Sequence, residues 1–392
     1  GWELTIADPD KVATTYALNN HGTLTIKDSY ATGSVNARGI YNGFVDGGES
    51  ISTATLTIKG GTFNALKSIF DFQNNLGGTS PVFKIYGGTY SANPSVVTSY
   101  GSVTIADDYS VVENNGVWTV VKPAVLEGEG TEASPYLISS VDDLVLFRNS
   151  VNAGETKYNA EGVYVALGAD IDLTSIENWE PIGTWDYTFD ANFDGKGYKI
   201  MNLKMSDNSA ANGEAYLGFF GITANNVIKN LVIENVTVES EGQIVSAAIA
   251  YPYYTTVSDI TVCGDIAIKG GNYTAGVLAY TRLCQNASNL AVVGNEGSCI
   301  EGAQAVGGVI ADIQMNNGLV ANYSEGVAVK GTKMVGGISG IIATQTLNGA
   351  TVKNVTLSSG DGRVGIVAGC FGGTSTISNV TYGNVTGATA IV

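Results

Sequence analysis

The feature that most constrains this chain is a short apolar run, bracketed by Gly or Ala, that returns at nearly constant spacing through the C-terminal half. Its copies are Gly218-Phe219-Phe220-Gly221, Ala247-Ala248-Ile249-Ala250, Gly276-Val277-Leu278-Ala279, Gly308-Val309-Ile310-Ala311, Gly337-Ile338-Ser339-Gly340 and Ile366-Val367-Ala368-Gly369. Their first residues lie 29, 29, 32, 29 and 29 positions apart. Behind each run, Asn or Asp precedes an apolar or aromatic residue: Asn230-Leu231, Asp259-Ile260, Asn289-Leu290, Asn322-Tyr323, Asn354-Val355 and Asn379-Val380. Around these pairs apolar residues alternate, as at Ile228, Leu231, Ile233, Val236 and Val238, then Val257, Ile260, Val262, Ile266 and Ile268. Alternation marks strands with one buried face, and no copy carries a helical period. Each unit therefore reads as about three short strands separated by turns. One unit cannot bury its inward face alone, whereas stacked copies share a continuous core. The prediction is an all-β chain folded as a right-handed parallel β-helix, a β-solenoid, with strands of adjacent coils ~4.8 Å apart. Asn tolerates left-handed backbone angles, so its series is expected to mark one recurring turn. Asn235, Asn272, Asn354 and Asn379 also read as N-x-S/T sequons, a pattern that Thr-rich strands produce freely.

The first 122 residues repeat more loosely. Leu24-Thr25-Ile26, Leu56-Thr57-Ile58, Phe83-Lys84-Ile85 and Val103-Thr104-Ile105 begin 32, 27 and 20 residues apart. Two of them continue into Gly60-Gly61-Thr62-Phe63 and Gly87-Gly88-Thr89-Tyr90, each a strand closed by a glycine pair and an inward aromatic. Gly116 to Val121 reads as a closing strand over the end of this stack, because bare strand edges invite aggregation. The pattern changes at Lys122, and Pro123 to Pro135 is a charged connector. A short strand at Tyr136-Leu137-Ile138 precedes the one convincing helix, near 139–154. Ser140 caps it, Asp142 and Asp143 occupy its first turn and Gly154 ends it. Leu144, Phe147 and Val151 share one face, which should lie across the mouth of the second solenoid. The organisation expected is an N-terminal β-helix over 1–122 and a second solenoid over 123–392. The latter comprises a capping segment at 126–215 and about six coils of ~29 residues at 216–392.

Several motifs of the second part carry a family resemblance. Gly128-x-Gly130-Thr131, Pro135-Tyr136-x-Ile138, Ala169-Asp170-Ile171-Asp172-Leu173, Trp179-x-Pro181-Ile182-Gly183 and Phe193-Asp194-Gly195-x-Gly197 resemble the opening segment of GLUG-motif proteins. Gly218-Phe219-Phe220-Gly221 resembles the Gly-Leu-apolar-Gly signature that names them. The resemblance spans about 126–380. Ala191 stands where the family usually has Gly, and Ala247 and Ala250 replace both bracketing glycines in the second coil. The resemblance implies bacterial surface or secreted proteins, many from gut Bacteroidetes, and the non-catalytic parts of streptococcal immunoglobulin A peptidases. It implies no activity by itself. The N-terminal part resembles pectin-lyase-like β-helix repeats only generically.

Composition narrows the function. Charged residues make up 14%, against roughly 25% in soluble domains. Gly numbers 51 and Pro 7, which fits repeated tight turns rather than Pro-rich disorder. The net charge of −17 repels phosphate backbones, so nucleic acid is excluded as a partner. An acidic surface suits extracellular solubility and could also hold divalent cations. Cys263, Cys284, Cys299 and Cys370 show no CxxC spacing, so buried free thiols are expected, with a Cys284–Cys299 bridge as the alternative. No apolar stretch reaches the ~18 residues of a membrane span. No signal peptide is visible, as expected of the mature region of an extracellular or outer-surface protein. A monomer is expected.

Chemistry finds little to work with. His21 is the only histidine, which leaves no zinc motif and no Ser-His-Asp triad. The arginines, Arg38, Arg148, Arg282 and Arg363, are scattered, which disfavours a polysaccharide lyase. Carboxylate pairs that a glycosidase could use are Asp170 with Asp172, Asp190 with Asp194, and Asp107 with Asp108. The first pair belongs to a structural motif. Asp190-x-Asn192-x-Asp194-Gly195 matches half of a calcium loop, yet Met201 stands where the twelfth-position Glu belongs. No cofactor is expected, with calcium at Asp190, Asn192 and Asp194 as the weak alternative. The remaining candidates are aromatic: Trp179, Trp185 and Tyr187 before the first coil, and Tyr251, Tyr253 and Tyr254 in a loop after the second coil's apolar run. Such rings can stack on sugar faces. The leading expectation is a non-catalytic adhesin that binds glycans or a host surface protein. The alternatives are a structural spacer presenting another domain and a carbohydrate-active enzyme.

Overall fold

In the computed structural model of this chain, the residues described are 82–96, 102–207, 216–315, 319–343 and 345–390, with short stretches between 18 and 73. His21 and Arg38 lie outside them. The chain divides into two compact units, Gly1–Ala124 and Val125–Val392.

In the first unit the four Leu-Thr-Ile-like runs stack as one parallel sheet. Leu24 pairs with Leu56, Leu56 with Phe83 and Phe83 with Val103. The glycine-pair segments stack likewise, Phe63 beside Tyr90. Tyr90 is fully buried, and its hydroxyl donates to the Gly87 carbonyl at 2.7 Å. Strand Val117–Val121 runs antiparallel to Gly88–Tyr90 on one side and to Ser110–Asn114 on the other. Asn115 and Gly116 both take positive φ, the backbone a two-residue hairpin turn requires. The closing strand is thus half of a hairpin that ends the parallel stack.

The second unit is a parallel β-solenoid. Among the described residues its coils build one large sheet and two sheets of six strands each. The first six-stranded sheet is a ladder of short strands at Tyr216–Leu217, Ile244–Ser246, Tyr273–Ala275, Ala305–Gly307, Met334–Gly336 and Arg363–Gly365. After the Gly/Ala-bracketed bend, the second ladder takes up Phe220–Ala224, Ile249–Tyr253, Leu278–Cys284, Ile310–Met315, Ser339–Ala343 and Ala368–Gly372. Behind the bend, the inward residues Phe219, Ala248, Val277, Val309, Ile338 and Val367 are all fully buried. Small brackets are required by close approach. A Cβ on Gly308 would sit 2.1 Å from the Gly337 carbonyl oxygen, and one on Gly337 2.3 Å from that of Ile366.

Longer strands such as Val227–Ser240 close each coil and bend at left-handed residues. Asn230 and Asn235, with φ of 56° and 58°, make two corners. Each corner inserts one residue, which explains why the buried positions step by three from Ile228 to Leu231 and from Ile233 to Val236. The asparagine series therefore divides between two corners instead of marking one turn. Asn230, Asp259, Asn289 and Asn379 belong to the first, where Asn289 donates to Asp259 at 2.9 Å. Asn354 belongs to the second and receives a bond from Asn384 at 3.0 Å. Asn322 is no corner at all. Ala321 takes the left-handed angle, and Asn322 pairs with Ala350 in the next coil and points inward, 2% exposed. Alternation sets inward and outward, so the one-residue offset buried an amide.

The helix runs Val141–Asn152. Ser140 caps it, accepting from the Asp143 amide at 3.1 Å, and Gly154 follows with φ 75°. Leu144, Phe147 and Val151 are fully buried, with Phe147 edge-on to Phe189 at 5.6 Å. The helix so covers the apolar end of the coil stack. All four cysteines are free thiols. Cys284 alone is buried, its thiol donating to the Thr255 carbonyl, with burial pushing its pKa up to about 12. Cys263, Cys299 and Cys370 are half-exposed rather than buried as expected, and Cys263 and Cys299 alternate with the inward Val262 and Ile300, which turns their thiols outward.

Candidate functional site

Parallel in-register coils bring outward residues one repeat apart to within ring-stacking distance. Tyr251 and Tyr280 each lie two positions beyond a paired residue, Ile249 and Leu278. Their rings stack at 5.6 Å and 11°. Tyr216 stands across the glycine bend and meets Tyr251 at 5.6 Å, while Trp185 stacks on Tyr216 at 6.0 Å. Tyr273 meets Tyr280 at 4.8 Å on the far side. Tyr253 lies parallel to Tyr251 at 6.2 Å and carries Tyr254 edge-on at 4.6 Å. A continuous aromatic row thus crosses three coils. Beside it lies a cavity of about 420 Å³, lined by Trp185, Thr188, Ile222, Tyr251, Tyr253, Arg282 and Leu283.

The local sequence explains the display. Tyr251 and Tyr253 belong to strand Ile249–Tyr253 rather than to a loop, with Pro252 buried between them. Alternation sends both tyrosines outward. Tyr254 then turns the corner with φ 49°, and Leu283 does so one coil later with φ 53°, where the preceding coil uses Asn225. Left-handed angles are uncommon for such bulky residues. Burial raises the Tyr251 phenol above its ordinary pKa, and the charge of Arg282 works against that rise.

Of the six aromatic residues expected from sequence, four meet here: Trp185, Tyr251, Tyr253 and Tyr254. Trp179 does not. It is 1% exposed, stacked on Phe219 at 5.4 Å, and its indole Nε1 donates to the Phe219 carbonyl at 3.2 Å. The Arg148 guanidinium covers its ring at 4.9 Å. A ring so enclosed cannot meet a ligand. Tyr187 is exposed but packs over Gly154, where an added Cβ would lie 2.5 Å from its ring. In the sequence Arg282 counts only as one of four scattered arginines, and Tyr216, Tyr273 and Tyr280 carry no assignment. The repeat itself signals them, since Tyr280 follows Tyr251 by 29 residues and Tyr273 follows Tyr216 by 57, two coils.

The calcium candidates are held by separate protein partners. Asp190 accepts from the Thr188 hydroxyl at 2.7 Å, and burial raises its pKa. Asn192 accepts from the Val227 amide at 3.0 Å. Asp194 accepts from the Lys196 amide and the Asn230 side chain and faces Lys229 at 3.8 Å. Among the described residues no group of three or more His, Cys, Asp or Glu could hold a metal ion. Three of the other carboxylates have structural partners too. Asp170 accepts from the Lys199 amide at 2.9 Å. Hydrogen bonds from Asn202 and Thr174 hold Asp172 below the ordinary carboxylate range. Asp108 faces Lys122 at 3.9 Å. Among the described residues no helix is long and apolar enough to cross a membrane.

Fold and site define a parallel β-solenoid that carries an aromatic row on its flank. No family model matches the chain, so the likeness to GLUG-motif proteins remains a resemblance. A "Putative Gly-rich membrane protein" of Evansella cellulosilytica is 33% identical over 128 residues, which cover 31% of this chain and 13% of that protein. "Halomucin" of Haloquadratum walsbyi is 27% identical over 233 residues, 58% of this chain and 2% of that protein. The chain therefore spans a small part of either relative. A crystal structure described as "a putative immunoglobulin A1 protease" from Bacteroides ovatus is 19% identical, with a TM-score of 0.49 over 66% of this chain and 80% of that one.

Proposed function

We propose that this chain is a non-catalytic, adhesin-like module of a surface or secreted protein and that it binds carbohydrate along the aromatic row. The observation that carries the reading is the outward row from Trp185 through Tyr216 and Tyr251 to Tyr280, with ring separations of 6.0, 5.6 and 5.6 Å. Sugars present apolar C–H faces between polar edges, which suits rings that offer one apolar face and a phenolic hydroxyl. Rigid coils hold the rings before the ligand arrives, so little conformational entropy is lost on binding. The names of the two sequence relatives, a Gly-rich membrane protein and a halomucin, accord with a surface role.

Trp185 is 67% exposed, so removing it should leave the fold intact. A glycan array followed by fluorescence titration tests the proposal. Binding is expected at roughly micromolar to millimolar Kd, weakened at least tenfold by Trp185→Ala and by Tyr253→Ala with unchanged melting curves. Absence of any glycan binding, or binding that survives both replacements, overturns it and favours the spacer reading.

A further inference from the structure

Arg282 sets this groove apart from a neutral sugar platform. Arg148 faces Glu180 at 3.9 Å and lies over the Trp179 ring, and Arg363 faces Asp361 at 3.7 Å. Arg282 is exposed at the wall of the aromatic cavity, and no ion pair or side-chain hydrogen bond engages it among the described residues. Asp312, which pairs with Tyr280 in the neighbouring strand, is buried and bonded to Gln314 instead. Of the three arginines among the described residues it is the one without an ion pair, and it stands beside a ligand-sized groove. Its charge reaches the Tyr251 ring at the centre of the row.

We infer that the groove selects an acidic oligosaccharide, with Arg282 pairing with a sugar carboxylate while Trp185, Tyr251 and Tyr253 stack on the rings. The inference rests on the carbohydrate-binding reading and names its ligand class. A planar guanidinium offers two parallel N–H donors that match a carboxylate, and a partly desolvated pair of this kind is stronger than a neutral hydrogen bond. The same charge offsets the repulsion that a net charge of −17 exerts on an anionic ligand. A neutral saccharide would leave the guanidinium unused.

The test sets uronate and sialate oligosaccharides beside their methyl esters, which keep the sugar and remove the charge. The intact chain should bind at least one free acid tenfold or more tightly than its ester, with the gap narrowing as salt rises. Arg282→Gln should abolish that preference by bringing the affinity for the free acid down to that for its ester, with the melting curve unchanged. Arg282→Lys, which keeps the charge but not the two-donor fork, should restore only part of it. Equal binding of acid and ester, or an acid preference that survives Arg282→Gln, overturns the inference and leaves carbohydrate binding standing. No binding to any sugar of either kind overturns both.

Discussion

Asp312 makes the stability of the second unit depend on pH in a direction opposite to ordinary acid denaturation. It occupies the position that Tyr280 holds one coil earlier, yet it is only 2% exposed. Its Oδ2 accepts from the Gln314 amide at 3.0 Å, while Oδ1 has no partner. Burial raises its pKa from 3.8 to about 6, partly opposed by the Gln314 bond. Between those two values the folded protein keeps a proton that the unfolded chain releases. This carboxyl therefore favours folding as pH falls through that window, and its full penalty stands above pH 6. Two units at ~1.4 kcal/mol each make that penalty about 3 kcal/mol, and at pH 5 roughly half of it is relieved. Asp312→Asn removes the charge and keeps an acceptor for Gln314, but its own amide stays unpartnered at a cost of about 1–2 kcal/mol. The variant should thus be about 1–2 kcal/mol more stable than the parent at pH 7.5, a rise of a few degrees in Tm. The gain should shrink or vanish at pH 5. Thermal melts of both proteins at the two pH values decide the matter. A variant that melts lower at pH 7.5, or a difference indifferent to pH, refutes the assignment of a buried charged carboxyl.

Two further outcomes follow from the coil geometry. Gly308→Val and Gly337→Val each drive a Cβ against a backbone carbonyl of the next coil, so each should cost about 2–4 kcal/mol, whereas Thr346→Val at an exposed position should cost almost nothing. Unchanged melts for both glycine variants would show that the coils can separate to admit a side chain. Asn322→Leu should raise stability by about 1–2 kcal/mol, since both amide atoms of Asn322 lack partners and the equivalent place one coil earlier holds Leu290. A lower Tm in that variant would mean that ordered water inside the core satisfies the amide.

Much of the fold was legible because a solenoid writes its geometry into sequence spacing. The inward residues Ile228, Leu231, Ile233, Val236 and Val238 are all buried, and the bracketing glycines stand where coils touch. The helix cap at Ser140 was equally plain, because capping is a local exchange between a hydroxyl and an amide three residues on. The corners were harder to read. Asn230 and Asn235 carry the same residue type to two different bends, and Ala321 takes a left-handed angle with no residue signal at all. Alternation across a corner depends on how many residues the bend consumes, and only the pairing of adjacent coils fixes that number.

The candidate site divides the same way. Sequence alone determined that aromatic residues gather near 179–187 and 251–254 and that repeats place residues 29 apart on one flank. It did not determine which rings face out. Trp179 and Trp185 are six residues apart, yet one is sealed beneath Arg148 and Phe219 and the other lies two-thirds exposed on Tyr216. Nor does any linear pattern place Trp185, Tyr216, Tyr251, Tyr280 and Arg282 together. That gathering is the work of the tertiary structure, because stacking along the solenoid converts one repeat of sequence into a single strand spacing across its surface.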